Sequence, residues 1–196
     1  MVGKNLNKIF LSASIPLEDR DKIFYVTADV IAIRDSVRAL ATVVVPNAIL
    51  VWGGHPAITP LIRFVLEQMH VDLKRHVMLY QSEFFKAHFP PENFDFEDII
   101  LVPAEENRDK SLIKMRHTMI AENDFKAGIF IGGMEGVFEE YKIFKKYHPD
   151  AMTLPIGSTG AAARLLFDEI KPKPSSELIS NFAYMNLFQE TLKGYL

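Results

Sequence analysis

A Rossmann-like, doubly wound α/β fold is predicted by two features of the sequence. Six short apolar runs recur at fairly even intervals, and the segments between them carry apolar residues at helical spacing. Strands that are apolar almost throughout imply a mainly parallel sheet covered on both faces, because crossover helices bury both sides of parallel strands. The expected architecture is a three-layer α/β/α sandwich. In such a sheet ligands bind beyond the carboxyl ends of the strands, so the strand-to-helix turns are where chemistry is expected.

The first run is "KIFLS" (8–12), and Val30, Val37, Leu40, Ala41 and Val44 form the stripe of the helix that follows. "AILVW" (48–52) precedes the most regular stripe in the chain, Ile58, Leu61, Ile62, Val65, Leu66 and Met69, spaced as one face of a helix. "VMLYQ" (77–81) and "IILVP" (99–103) are the third and fourth strands, with Leu112, Met115 and Met119 on the next helix. "GIFIG" (128–132) is followed by Val137, Tyr141, Phe144 and Tyr147, and "AMTLP" (151–155) is the sixth strand. "KPKPSS" (171–176) reads as a stiff connector to a C-terminal helix over 177–196, striped by Leu178, Phe182, Met185 and Leu192. The core is expected over 8–170, in one domain spanning 1–196.

The bulk composition narrows the function. A chain of 196 residues with 48% hydrophobic residues is long enough for one sizeable core. Its net charge of -3 and the lack of a dense Lys/Arg block disfavour nucleic acid and anionic membrane surfaces, leaving small-molecule or protein partners. With no cysteine there is no disulfide, thiolate metal site or cysteine nucleophile. The N-terminal apolar stretch is too short and polar for a signal-peptide core, and the most apolar region is broken by Pro46 and Asn47 well short of the roughly 20 residues of a spanning helix. A cytoplasmic location is expected. The six histidines are scattered without a pair at helical ligand spacing, so neither a metal nor a cofactor is expected.

Four strand-to-helix turns carry the candidate ligand groups. In "SASIP" (12–16), Ser12 and Ser14 offer hydroxyls to a phosphate or ribose, although serines are also ordinary turn residues. In "GGHPAITP" (53–60), Gly53 and Gly54 allow close backbone approach, His55 follows, and Thr59 before Pro60 reads as an N-cap and first helical residue. A helix N-terminus there would welcome an anion. In "GIFIGGMEGVFEEY" (128–141), Gly132, Gly133 and Gly136 bracket Met134 and Glu135, and Glu139 and Glu140 read as the carboxylates opening the helix. Their alternative role is simply to complement the helix dipole. In "GSTG" (157–160), Ser158, Thr159 and Gly160 make a donor-rich turn that is not a Gly-x-Ser-x-Gly elbow, so Ser158 is not read as a hydrolase nucleophile. Four such turns on one sheet edge suggest an extended ligand with phosphates, such as a nucleotide. Neither a P-loop nor a complete Gly-x-Gly-x-x-Gly is present.

Taken together, "IFLSASIP", "VWGGHPAITPL" and "GIFIGGMEGVFEE" resemble the SLOG superfamily, which includes the LOG, or lysine-decarboxylase-like, phosphoribohydrolases. The likeness runs from about 8 to 167 and is strongest to the branches that serve as nucleotide-ligand sensors in bacterial defence and signalling. LOG enzymes carry an arginine before a Pro-Gly-Gly-x-Gly-Thr-x-x-Glu motif. By that resemblance Arg116 and Glu140, with Glu139 in reserve, take the catalytic positions. Ile131 stands where the motif has proline, Met134 and Glu135 lengthen the loop by one residue, and Val137 replaces the threonine. The resemblance implies a nucleotide-type ligand, a homodimer or higher oligomer, and an effector protein partner.

Two functions follow. One is binding and sensing of a nucleotide or ADP-ribose-like signal. The other is N-glycosidic cleavage of a nucleoside 5'-monophosphate, in which a carboxylate stabilises positive charge on the sugar while an arginine holds the phosphate.

Overall fold

The computed structural model describes residues 6–20, 22–69 and 74–196. Within them six strands form one sheet: β1 (Lys8–Ser14), β2 (Ile49–Trp52), β3 (Val77–Ser82), β4 (Ile99–Val102), β5 (Phe125–Gly132) and β6 (Met152–Ile156). The order is β4-β3-β2-β1-β5-β6, and every neighbouring pair is parallel. The predicted doubly wound α/β class is therefore the observed one. The helices are α1 (Lys22–Thr27), α2 (Val30–Val44), α3 (Thr59–Gln68), α4 (Arg108–Ala121), α5 (Glu135–Tyr147), α6 (Ala161–Glu169), α7 (Glu177–Ser180) and α8 (Tyr184–Leu192).

Alternation along the strands splits the core into two layers. Ile9, Leu11, Leu50, Trp52, Leu79, Ile129 and Ile131 share one cluster with Ile33, Val37 and Leu40 of α2, Ile62 of α3 and Phe188 of α8. Phe10, Val51, Tyr80 and Phe130 point the other way, into a cluster with Met115 and Met119 of α4, Phe144 of α5 and Leu166 of α6. Phe10 and Phe144 stack with centroids 5.6 Å apart. That stack depends on Gly128, where a Cβ would lie 2.8 Å from the Phe144 ring.

Helix starts follow local chemistry. Asp29 caps α2 by accepting from Ala32 N–H at 2.9 Å, and Asn107 caps α4 through Lys110 N–H at 2.9 Å. Three expectations need correction. Thr59 is not the N-cap of α3: Ile58 holds that place without a side-chain bond, while the fully buried Thr59 accepts from Trp52 Nε1 at 3.2 Å. Glu139 and Glu140 do not open α5, which begins at Glu135 and places them in its second turn. The expected C-terminal helix is broken into α7 and α8, because Asn181 leaves the helical region and its side chain accepts from Ala183 N–H at 2.8 Å. Phe182 is then 59% exposed rather than part of a buried stripe.

The chain winds outward from β1 through β2 and β3 to β4, then returns to place β5 on the other side of β1. Strand order reverses at β1, which makes the carboxyl ends of β1, β2 and β5 the switch point where α/β sheets open a crevice.

Candidate ligand-binding site

A cavity of about 660 Å³ opens at that switch point. Three of the four expected turns meet there. Ser12 and Ser14 come from the end of β1, Gly53, Gly54 and His55 from the turn after β2, and Met134, Glu135 and Gly136 from the turn after β5. Arg116, Glu139 and Glu140 line it from α4 and α5.

Polar groups at the cavity are held with capacity to spare. Ser12 is 2% exposed and its Oγ, like Ser36 Oγ and the Asn93 amide outside the cavity, has no hydrogen-bond partner among the described residues; of these only Ser12 lines the cavity. Met134 at the N-cap of α5 supplies no side-chain acceptor; Val137 N–H donates to Met134 O at 2.9 Å, and the N–H groups of Glu135 and Gly136 beside the cavity have no side-chain cap. Gly133 N–H donates to Ser14 O at 2.8 Å and ties this loop to the β1 turn.

Arg116 and Glu140 meet across the helices, with Nε 3.3 Å from Oε1 and both side chains 16% exposed. Gly136 makes this approach feasible, since a Cβ there would lie 2.7 Å from an Arg116 terminal nitrogen. Glu139 is different: it is exposed and pairs with Lys142 at 3.0 Å. Of the two glutamates, Glu140 is the one held against Arg116.

His55 is pushed from 6.5 to about 4, first by burial and then by the Arg20 guanidinium. It is therefore neutral at pH 7. Its Nδ1 accepts from Ala57 N–H at 3.2 Å, which leaves the ring proton on Nε2.

The remaining candidates stand away from the cavity lining. The hydroxyl of Thr159 accepts from Gly132 N–H at 2.9 Å and donates to Ile156 O at 2.6 Å. Ser158 Oγ lies 3.0 Å from Tyr184 Oη, and a Cβ on Gly160 would collide with the backbone of Thr27. The turn after β6 is thus filled by α1, α8 and the end of β5 instead of opening to a ligand. Gly132 and Gly133 lie behind the loop, where Val137 Cγ2 takes the space a Cβ on Gly133 would need. Thr59 faces Trp52, as described above.

Sequence reasoning missed Arg20, Gln81, Phe85, Phe89, Arg108 and Asp109, all of which line the cavity. Gln81 had a legible signal, being a polar residue at the carboxyl end of an apolar strand. Phe85 lies in a short 3-10 helix after β3 (Glu83–His88) and Phe89 at its end, where no periodicity marks a facing direction. Among the described residues, no group of three or more His, Asp or Glu could hold a metal ion, and no helix is long and apolar enough to cross a membrane.

Residues 23–192 match the model of the SLOG cluster3 family, and the chain belongs to that family. The X-ray structure of TM1055, a structural-genomics target, is similar with a TM-score of 0.55 at 9% identity, covering 88% of this chain and 89% of that one. At that identity the likeness is one of fold. No curated protein matches the chain. SLOG membership gives the protein a nucleotide-related role, in binding or processing such a ligand.

Proposed function

We propose that the protein is a recognition module that binds a nucleotide-derived signal, a nucleotide or ADP-ribose-like molecule, in the cavity at the β1/β5 switch point. One observation carries the reading: Ser12, whose buried hydroxyl has no partner among the described residues, lines the same cavity as Arg116 and the start of α5, which has no side-chain cap. A hydroxyl, free N–H groups and a cation together suit the ribose and phosphate of a nucleotide. Occupancy would then alter association with a second copy of the chain or with an effector protein in a defence or signalling response.

N-glycosidic cleavage is the second reading, favoured by the meeting of Arg116 and Glu140 in the cavity. One feature weighs towards recognition. Val137, 3% exposed, stands where the LOG motif carries a hydroxyl, so one phosphate donor is missing.

Incubation with a library of nucleotides, followed by mass spectrometry of bound and converted species, separates the readings. Recognition predicts a bound, unchanged nucleotide that raises the melting temperature. Released base that disappears in Glu140→Gln would establish the glycosidase instead, and no bound or converted nucleotide would sink both.

A further inference from the structure

Ser12, Arg116 and the glycine loop account for one side of the cavity. The other side holds Gln81, His55, Phe85 and Phe89, which ribose and phosphate leave unused. Gln81 is 5% exposed near the end of β3, and its Nε2 donates to Gly54 O at 2.9 Å. A carbonyl can only accept, so this bond fixes the amide orientation and turns Oε1 into the free end. Among the described residues no group donates to that oxygen. Gly54, at φ 64°, is itself shaped to this contact: a Cβ there would overlap the Gln81 amide. His55 is fixed in the same manner by Ala57 N–H, which occupies Nδ1 and leaves Nε2–H as a donor. Burial and Arg20 keep the ring neutral, so that tautomer persists at neutral pH.

We infer that Gln81 and His55 determine base specificity in this cavity, selecting a nucleobase with an exocyclic amine over its oxo counterpart. The inference rests on the nucleotide reading of the site. Gln81 belongs to the sheet and is buried, whereas His55 lies in the loop beyond the strand end and is half-buried. The substituent that protrudes furthest from a base reaches the deeper group, so the exocyclic amine donates to Gln81 Oε1. The adjoining ring nitrogen then accepts from His55 Nε2–H. Adenine and cytosine offer that donor beside that acceptor. Hypoxanthine, guanine and uracil present an oxygen to the Gln81 side-chain oxygen, and a base whose ribose and phosphate are held at the glycine loop is not free to slide into a better register. Phe85 and Phe89 give the ring apolar faces to lie against.

The test is titration calorimetry on the full chain with matched pairs: adenosine and inosine 5'-monophosphate, cytidine and uridine 5'-monophosphate, and ADP-ribose with its hypoxanthine analogue. The amino member of a binding pair should be tighter by about tenfold or more, because an unmade bond to a buried polar group discriminates strongly. Purine riboside 5'-monophosphate, which lacks the amine but keeps the ring acceptor for His55, should bind more weakly than the adenosine ligand and more tightly than the inosine ligand. Equal affinity within the pairs, or full affinity for purine riboside monophosphate, overturns the Gln81 and His55 assignment while leaving nucleotide binding intact. If no member of any pair binds, the nucleotide reading itself fails and the base assignment falls with it. Gln81→Leu should bring the amino ligand down to its oxo partner. The analogue series reads the same contact without disturbing Gly54.

Discussion

The turn after β5 and the turn after β6 are built from similar glycine-rich material, yet one opens to a cavity and the other is closed. The difference lies in what each hydroxyl and N–H already holds. Ser12, beside the β5 turn, has no bond among the described residues, and α5 starts without a side-chain cap. Thr159 and Ser158 after β6 are each bonded to the protein, to Gly132, Ile156 and Tyr184. A donor-rich turn signals a ligand only when its donors are left over. The sheet order explains which is which: the β5 turn adjoins the reversal at β1, while β6 is an edge strand whose turn is covered by α1 and α8.

The sharpest way to break the contrast between closed and open turns is to place a methyl on a glycine of the closed β6 turn and on Gly53, a cavity-lining glycine of the turn after β2. Gly160→Ala should cost more than about 4 kcal/mol, because φ is 70° and the Cβ meets the Thr27 carbonyl, a backbone group with no room to yield. Gly53→Ala should stay within about 1 kcal/mol, since its Cβ would touch only the flexible Met115 and Met119 tips at 3.4 Å and beyond, although the methyl narrows the cavity. Thermal and urea unfolding compare the two. Similar losses would mean that the turns are not differently packed.

Thr159→Val comes next, with an expected loss of roughly 2–4 kcal/mol because it orphans the buried Gly132 N–H and removes the bond to Ile156 O. Nucleotide affinity of the folded variant should be unchanged. A lost affinity with intact stability would put Thr159 in the site after all.

A smaller effect concerns His55, whose folded-state value is lowered from 6.5 to about 4. Between those values the unfolded chain takes up a proton that the folded chain refuses, so stability falls as pH drops from 6.5 towards 4 and is level above that window. After allowance for solvent screening, the loss is about 2 kcal/mol. His55→Asn, whose side chain can still accept from Ala57 N–H, should flatten this segment of a stability–pH curve. An unchanged slope would assign the dependence to other groups.

The sheet was legible because parallel strands buried on both faces read as apolar runs, and all six runs lie on observed strands. The first three turns were legible because they follow β1, β2 and β5, whose carboxyl ends adjoin the reversal of strand order. The fourth failed for a physical reason: a local pattern displays the donors of "GSTG" but not Tyr184 and Thr27, which come from distant parts of the chain to cover it. Arg20, Phe85 and Phe89 escaped for the converse reason, since only tertiary folding brings them to the cavity. The break at Asn181 was masked by apolar residues that continue at helical spacing although Phe182 faces solvent.

Crystals grown with the nucleotide that most raises the melting temperature would test the central claim most directly. The ligand should lie between the ends of β1, β2 and β5, with an oxygen on Ser12 Oγ and its phosphate near Arg116 and the start of α5. A nucleotide bound elsewhere, with Ser12 Oγ still without a partner, would contradict the account.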